Sequence, residues 1–166
     1  MTIYEFIEDI VDSISAVKSF QFGSFKYVQG VLSNAVKNND YAALYPMVIM
    51  VTNDFDYDVD SDANTVKQTY PLHLVIVNLT KREYTMQQRL DNNFKTILNP
   101  IYDSLIGKLK TYYSDENGKL PHNKKDHFFY SGTDAKDQNK LAERLDAVEI
   151  TGLDFYINLN DCKYNT

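Results

Sequence analysis

The chain has 166 residues, of which 43% are hydrophobic, and this is enough for one domain with a core of ordinary size. Its 17 basic and 23 acidic residues give a net charge of −6, which argues against a nucleic-acid binder that relies on bulk positive charge. No apolar run is long enough to span a membrane, early acids make a secretory leader unexpected, and the single Cys162 excludes an internal disulfide and a cysteine-built zinc site.

The N-terminal part of the chain predicts a helix followed by an extended segment. Apolar residues recur at spacings of three and four from Ile3 to Val17, which is typical of an amphipathic helix, and Thr2 with Glu5 matches a capping box. Residues 19–30 are expected to be extended. The alternation of aromatic residues changes parity at Gly23 within this segment, which indicates a bulge or a tight turn.

Two apolar runs predict central strands. Pro46–Val51 and Leu72–Val77 are continuously apolar rather than alternating, so each is expected to be covered on both faces and to begin at its proline.

Between these two runs lies a segment in which aspartate occupies every second position. The five residues are Asp54, Asp56, Asp58, Asp60 and Asp62. In an extended strand they all point to one side, about 7 Å apart, and form a charged stripe rather than a coordination cage. The glycine and glutamate that an EF-hand loop requires are absent from the matching positions, so that type of calcium site is excluded. A solvated face that protects a sheet edge, an electrostatic contact surface and a specific metal site remain as alternatives, in that order.

A long helix is predicted from about Lys81 to Tyr113. Thr80 with Glu83 matches a second capping box and places the start of the helix. Pro100 interrupts the apolar stripe, and we therefore expect a kink, or two helices joined near Asn99.

The remainder of the chain predicts a long polar loop and a final strand. Residues 114–140 are rich in polar and charged types, and loops of this length are often functional or disordered. Phe128, Phe129 and Tyr130 lie in this loop and either pack onto the body of the protein or contact a neighbouring subunit. The strand from Val148 to Leu159 changes parity at Thr151–Gly152, which predicts a β-bulge.

Motifs for catalysis and for cofactors are not found. The sequence contains no G-x-S-x-G, no HExxH, no P-loop and no G-x-G-x-x-G. His73 lies inside an apolar run and is expected to be a satisfied core or edge residue. His122 and His127 are five positions apart, which does not place them on one helix face. We predict no catalytic residue, no metal and no cofactor.

These elements together predict an α+β fold for residues 1–166 as a single domain with a long polar loop at about 114–140. The sheet is expected to be mixed or antiparallel, with about four to five strands, and to pack against the N-terminal helix and the long Pro-kinked central helix. The order of an amphipathic helix (Ile3–Val17), a Pro-led strand, a second strand that runs directly into a long helix, and a C-terminal strand resembles the tail-terminator and tail-completion proteins of long-tailed bacteriophages and related head–tail neck proteins.

This resemblance implies a structural virion protein that is not an enzyme. It would form a homo-oligomeric ring, usually of six copies, that contacts the tail tube or the head–tail connector, and it would be assembled in the host cytoplasm without a membrane partner. The stripe Asp54–Asp62 would then face a channel through which DNA passes, because like charge limits sticking. Two alternatives remain open: a monomeric or dimeric module that binds another protein through the aromatic loop, and an enzyme with an unrecognised site that uses aspartates and His73.

Overall fold

The computed structural model describes residues 2–24, 27, 30, 41–52, 67–112, 117–128 and 145–158. These residues form the expected α+β fold, in which helices pack on a five-stranded mixed sheet. The helices are α1 (Ile3–Asp12), α2 (Tyr41–Leu44), α3 (Met86–Arg89) and α4 (Asn99–Tyr112). A π-helical segment (Leu90–Leu98) joins α3 to α4, and we call this continuous run the central helix. The strands are β1 (Ser19–Gly23), β2 (Met47–Val51), β3 (Lys67–Leu79), β4 (Asn123–His127) and β5 (Leu145–Asn158).

The strands are arranged in the order β1-β2-β3-β5-β4. β1 runs parallel to β2, whereas the β2–β3, β3–β5 and β5–β4 pairs are antiparallel. All five residues of β2 are buried, which confirms that this apolar run is covered on both faces. No helix in the described ranges combines the length and the hydropathy that a membrane crossing needs.

The alternation of side chains along the strands divides the core between the two faces of the sheet. On one face, α1 and the central helix pack their apolar stripes against the sheet, with Ile7, Phe94 and Leu105 fully buried. On the other face, Tyr45, Met47 and Val75 belong to a second, smaller buried cluster. The capping box of Thr2 and Glu5 is present at the start of α1, as predicted.

The predicted start of the central helix was wrong. The helix begins at Met86 rather than at Lys81, and its N-cap is Thr85, whose hydroxyl accepts from the Gln88 backbone N–H. Residues 81–84 form a turn instead, closed by a hydrogen bond of 3.1 Å from Tyr84 N to the Lys81 carbonyl. Both Thr80 and Thr85 precede a suitable partner by three positions, so local pattern alone does not distinguish them.

The discontinuity expected near Asn99 takes the form of a change in helix type. The Asn99 N–H bonds to the Phe94 carbonyl five residues earlier, and α-helical geometry follows from Asn99 onward. Pro100 has no N–H to give to the Thr96 carbonyl, and its ring crowds that turn in an α-helix. The wider π turn before it accommodates the ring, so the helical run continues through the position where a kink or a junction of two helices was expected.

Two strand predictions also needed correction. Residues 19–30 are not extended throughout, because β1 ends at Gly23 and Tyr27 is helical, with its N–H directed to the Ser24 hydroxyl. β3 begins at Lys67, so Pro71 lies inside the strand and not at its first residue. No described strand pairs with the other side of β3 at this point, and an open side tolerates the missing N–H of proline.

The predicted loop at 114–140 contains a strand. β4 pairs with β5 from Asn123 to His127, and its first four residues are exposed. A polar edge strand with one neighbour shows no apolar alternation, and this explains why the sequence pattern did not predict it.

Candidate functional site at the base of a two-stranded arm

The long antiparallel strands β3 and β5 extend beyond the rest of the sheet. They pair from Leu79 and Leu145 at one end to Lys67 and Asn158 at the other. β2 pairs with β3 only over His73–Val77, and β4 pairs with β5 only over Ala147–Thr151. Among the described strands, Lys67–Leu72 and Leu153–Asn158 therefore form a two-stranded arm, about 20 Å long for six residues per strand.

A β-bulge lies where the arm leaves the sheet. Leu72 pairs with Leu153 and Leu74 with Ile150, so the single residue His73 is opposite both Thr151 and Gly152. Gly152 has φ +70°, a left-handed conformation that glycine adopts without steric cost. This confirms the bulge predicted from the change of parity at Thr151–Gly152.

Next to the bulge, one carboxylate joins three strands. Glu149 on β5 lies between His73 on β3 and His127 on β4. Its Oε1 is 2.7 Å from His73 Nε2, and its Oε2 is 2.6 Å from His127 Nε2. We call these three residues the His–Glu–His cluster. An ionised carboxylate only accepts hydrogen bonds, so both rings donate through Nε2–H.

Two opposing effects act on the pKa of Glu149. Burial raises the pKa, but the hydrogen bonds from His127 and His73, together with the charges of these rings, outweigh burial and leave the pKa below its ordinary value. The side chains of His73, Glu149 and His127 are 15%, 17% and 23% exposed, so water reaches the cluster without dominating it.

The cluster is suited to holding strands together. The Nε2 atom of each imidazole is hydrogen-bonded to a different oxygen of the Glu149 carboxylate. The described residues contain no group of three His, Cys, Asp or Glu side chains arranged to hold a metal ion. The chemistry that this arrangement offers is a bidentate hydrogen-bonded link across β3, β5 and β4.

A second polar network lies on the helix-facing side of the same strands. The Arg89 guanidinium donates to Asp146 across 2.8 Å, Asn93 donates to the other Asp146 oxygen, and Asn78 donates to Asn93. All four residues are buried, and Asn78 is directly opposite Asp146 in the β3–β5 register. This network fixes the start of the central helix on the two strands that continue into the arm.

Aromatic side chains line the opposite end of the sheet, at the edge strand β1. The rings of Tyr4 and Phe22 are 4.8 Å apart, and those of Phe6 and Tyr112 meet edge to face at 5.2 Å. Phe22 is 50% exposed and Tyr112 is 65% exposed. A groove of about 580 Å³ separates α1 from the end of α4, and Phe6 and Tyr112 are among its lining residues.

The residues predicted as sites have different outcomes. Phe128 packs its ring 4.5 Å from that of Phe94 and contacts the main core, in keeping with local packing onto the body of the protein. Phe129, Tyr130 and the stripe Asp54, Asp56, Asp58, Asp60 and Asp62 lie outside the described residues. The expectation for His73 is confirmed, because it is a satisfied, mostly buried residue.

Sequence reasoning did not single out Glu149 or place His127. The available signal was the acid at position 149 inside an apolar strand, where a charge needs a partner. Its partners come from other strands, so the sequence did not identify them. No family model, curated protein or solved structure matches this chain.

Proposed function

We propose that this chain is a structural protein of a bacteriophage particle, a ring-forming tail terminator or neck component that joins the tail tube to the head. The proposal is supported by the order of α1, β2, β3, the central helix and β5, the elements on which the resemblance to these proteins rests. In this proposal the protein has a mechanical role and no catalytic one. Its site of action is the virion, after assembly in the host cytoplasm.

The arm formed by β3 and β5 is the observation that carries this proposal. A two-stranded ribbon is marginally stable in water by itself and gains stability when another surface covers it. An element that leaves the body of the subunit is also able to reach an adjacent copy in a closed ring. The arm begins at a fixed bulge and a cross-strand link, so its base is well defined.

The native mass in solution tests the proposal most directly. Light scattering after size exclusion, at two protein concentrations, should give a species of about six times 19.2 kDa, roughly 115 kDa. Negative-stain images of that species should show a central hole. A protein that stays at the mass of one chain, alone and after mixing with phage tail tubes, would contradict the ring proposal.

The aspartate stripe provides a second test. If Asp54–Asp62 lines a DNA channel in the ring, then changing all five aspartates to asparagine should leave assembly intact and impair DNA passage. The measurement is phage infectivity after complementation with the variant, with ring formation checked by light scattering. Normal infectivity with normal assembly would refute a role of this charge in DNA passage.

A second candidate function is a non-enzymatic module that binds another protein. The observation that favours it is the exposure of Tyr112 at the groove between α1 and α4, since aromatic residues are enriched at protein interfaces. A monomer that captures one defined partner, with loss of capture in Tyr112→Ser, would support this function over the ring.

A further inference from the structure

We propose that the His–Glu–His cluster is an acid-releasable clamp that fixes the direction of the arm relative to the sheet. The clamp is a property of the single subunit, so it does not depend on the function proposed above.

The cluster marks the boundary between the sheet and the arm. His73 is the first β3 residue that β2 accompanies, through its pairing with Val51, and it is also the residue opposite the bulge. On the other side, the pairing of β4 with β5 ends at Thr151, the first residue of the bulge. Beyond this line each arm strand pairs only with the other arm strand among the described strands.

A bulge interrupts the hydrogen-bond ladder and bends the strand that carries it. At this bulge the backbone of β5 holds an extra residue, and the left-handed Gly152 is the most permissive residue type for that position. A link between side chains on both sides of β5 limits the directions that the arm samples. Glu149, two residues before Thr151, supplies that link to His73 and His127 at 2.7 and 2.6 Å.

Few other charges face the clamp. On β4, Lys125 is directly across from Glu149 in the register, and on β3 the residue across from it is the apolar Val75. The β2 residue that pairs with His73 is Val51, also apolar. Among the described residues of these strands, Glu149 is the acid that faces two imidazoles and one ammonium group.

Acid releases the clamp because it removes one of the two acceptors. When Glu149 is protonated, one of its oxygens carries a hydrogen and becomes a donor. That oxygen then faces an imidazole N–H that is also a donor, so the hydrogen bond between them is lost. The neutral carboxyl group also no longer offsets the charge of the Lys125 ammonium group. The link between β3 and β4 is lost, whereas the apolar core on the same strands is unaffected by pH.

Hydrogen exchange measured residue by residue tests the clamp. In Glu149→Gln the amide has one acceptor oxygen, so both rings are satisfied only if one changes tautomer. We expect amides of Lys67–Leu72 and Leu153–Asn158 to exchange about tenfold faster than in the wild type, with Val48–Met50 unchanged. The matched control is Glu8→Gln, which changes the same group on the exposed face of α1 and should leave the arm as in the wild type.

A second measurement uses pH and keeps the proposal testable if Glu149→Gln fails to fold. The wild-type arm should lose protection as the pH falls below 4.5, after correction for intrinsic exchange, before the central strands do. His73→Asn, which removes one half of the link, should show faster arm exchange already at pH 6. The clamp would be overturned if the arm amides of Glu149→Gln and His73→Asn exchanged as slowly as those of Glu8→Gln. It would also be overturned if exchange became faster by the same factor over the whole sheet.

Discussion

Arg89 and Asp146 form an ion pair that is fully shielded from water, with Nη1 and Oδ1 2.8 Å apart and both side chains 0% exposed. The pair joins the last residue of α3 to the second residue of strand β5, 57 positions away. Desolvation of two charges costs several kcal/mol, and a pair of this kind repays that cost only when its remaining hydrogen bonds are satisfied. The bond from Asn93 to the second Asp146 oxygen contributes to that satisfaction.

Breaking this pair from one side should be strongly destabilising. Arg89→Met leaves a buried carboxylate without its cation, and we expect the free energy of unfolding to fall by about 3–5 kcal/mol in urea titrations. The double variant Arg89→Met/Asp146→Leu should lose less than the sum of the two single variants, because neither charge is then stranded. Asp91→Ala is the control: it removes an exposed pair with Lys95 and should cost less than about 1 kcal/mol. Equal losses in Arg89→Met and Asp91→Ala would contradict this reading.

The bulge glycine should not tolerate a side chain. Gly152→Ala places a Cβ 3.1 Å from Asn123 Nδ2 on a residue with φ +70°, so we expect a loss of about 1 kcal/mol or more in unfolding free energy. Gly107→Ala is the opposite case, because it lies inside α4 and its Cβ would meet nothing within 4 Å. That variant should gain about 0.5–1 kcal/mol. The pair of variants, compared by thermal or urea unfolding, tests the conformation at each glycine. A stabilised Gly152→Ala would show that the bulge is not formed in solution.

Two threonines near the start of the central helix should respond differently to substitution. Thr85→Ala removes the N-cap hydroxyl that accepts from Gln88 N, and we expect a loss of about 1 kcal/mol. Thr80→Val should change stability by less than about 0.5 kcal/mol or increase it, because the Thr80 hydroxyl is buried without a hydrogen-bond partner in the described part of the chain. Urea unfolding of both variants distinguishes the two capping boxes. A larger loss of stability in Thr80→Val than in Thr85→Ala would instead support a helix that begins at Lys81.

The contribution of Glu149 to stability should depend on pH in one direction. Its pKa is lowered from the ordinary 4.5 because the bonds and charges of His127 and His73 outweigh the effect of burial, which raises it. A carboxyl group whose pKa is lower in the folded state contributes stability that is present above the unfolded-state pKa and is lost as the pH falls through the folded-state pKa. The difference in unfolding free energy between the wild type and Glu149→Gln should therefore be about 1–3 kcal/mol at pH 7 and should shrink below pH 4.5. A difference that grows on acidification would have the wrong sign for this assignment.

Elements whose side chains repeat with a clear period were predictable from the amino-acid sequence. The capped helix α1, the doubly covered β2, the α+β class and the bulge at Thr151–Gly152 all follow from spacing or parity, which are local properties of the chain. Spacing and parity did not predict the edge strand β4, because four of its five residues are exposed and polar, and its place depends on the backbone of β5.

The residues that meet across the sheet could not be predicted from local sequence patterns. Glu149 is 76 positions from His73 and 22 from His127, and no local rule brings these three side chains to one place. The choice of Thr85 over Thr80 was also tertiary, since the start of the helix is set where Arg89 reaches Asp146. Contacts between distant residues depend on strand order and register, and the free energy that selects these is spread over the whole core.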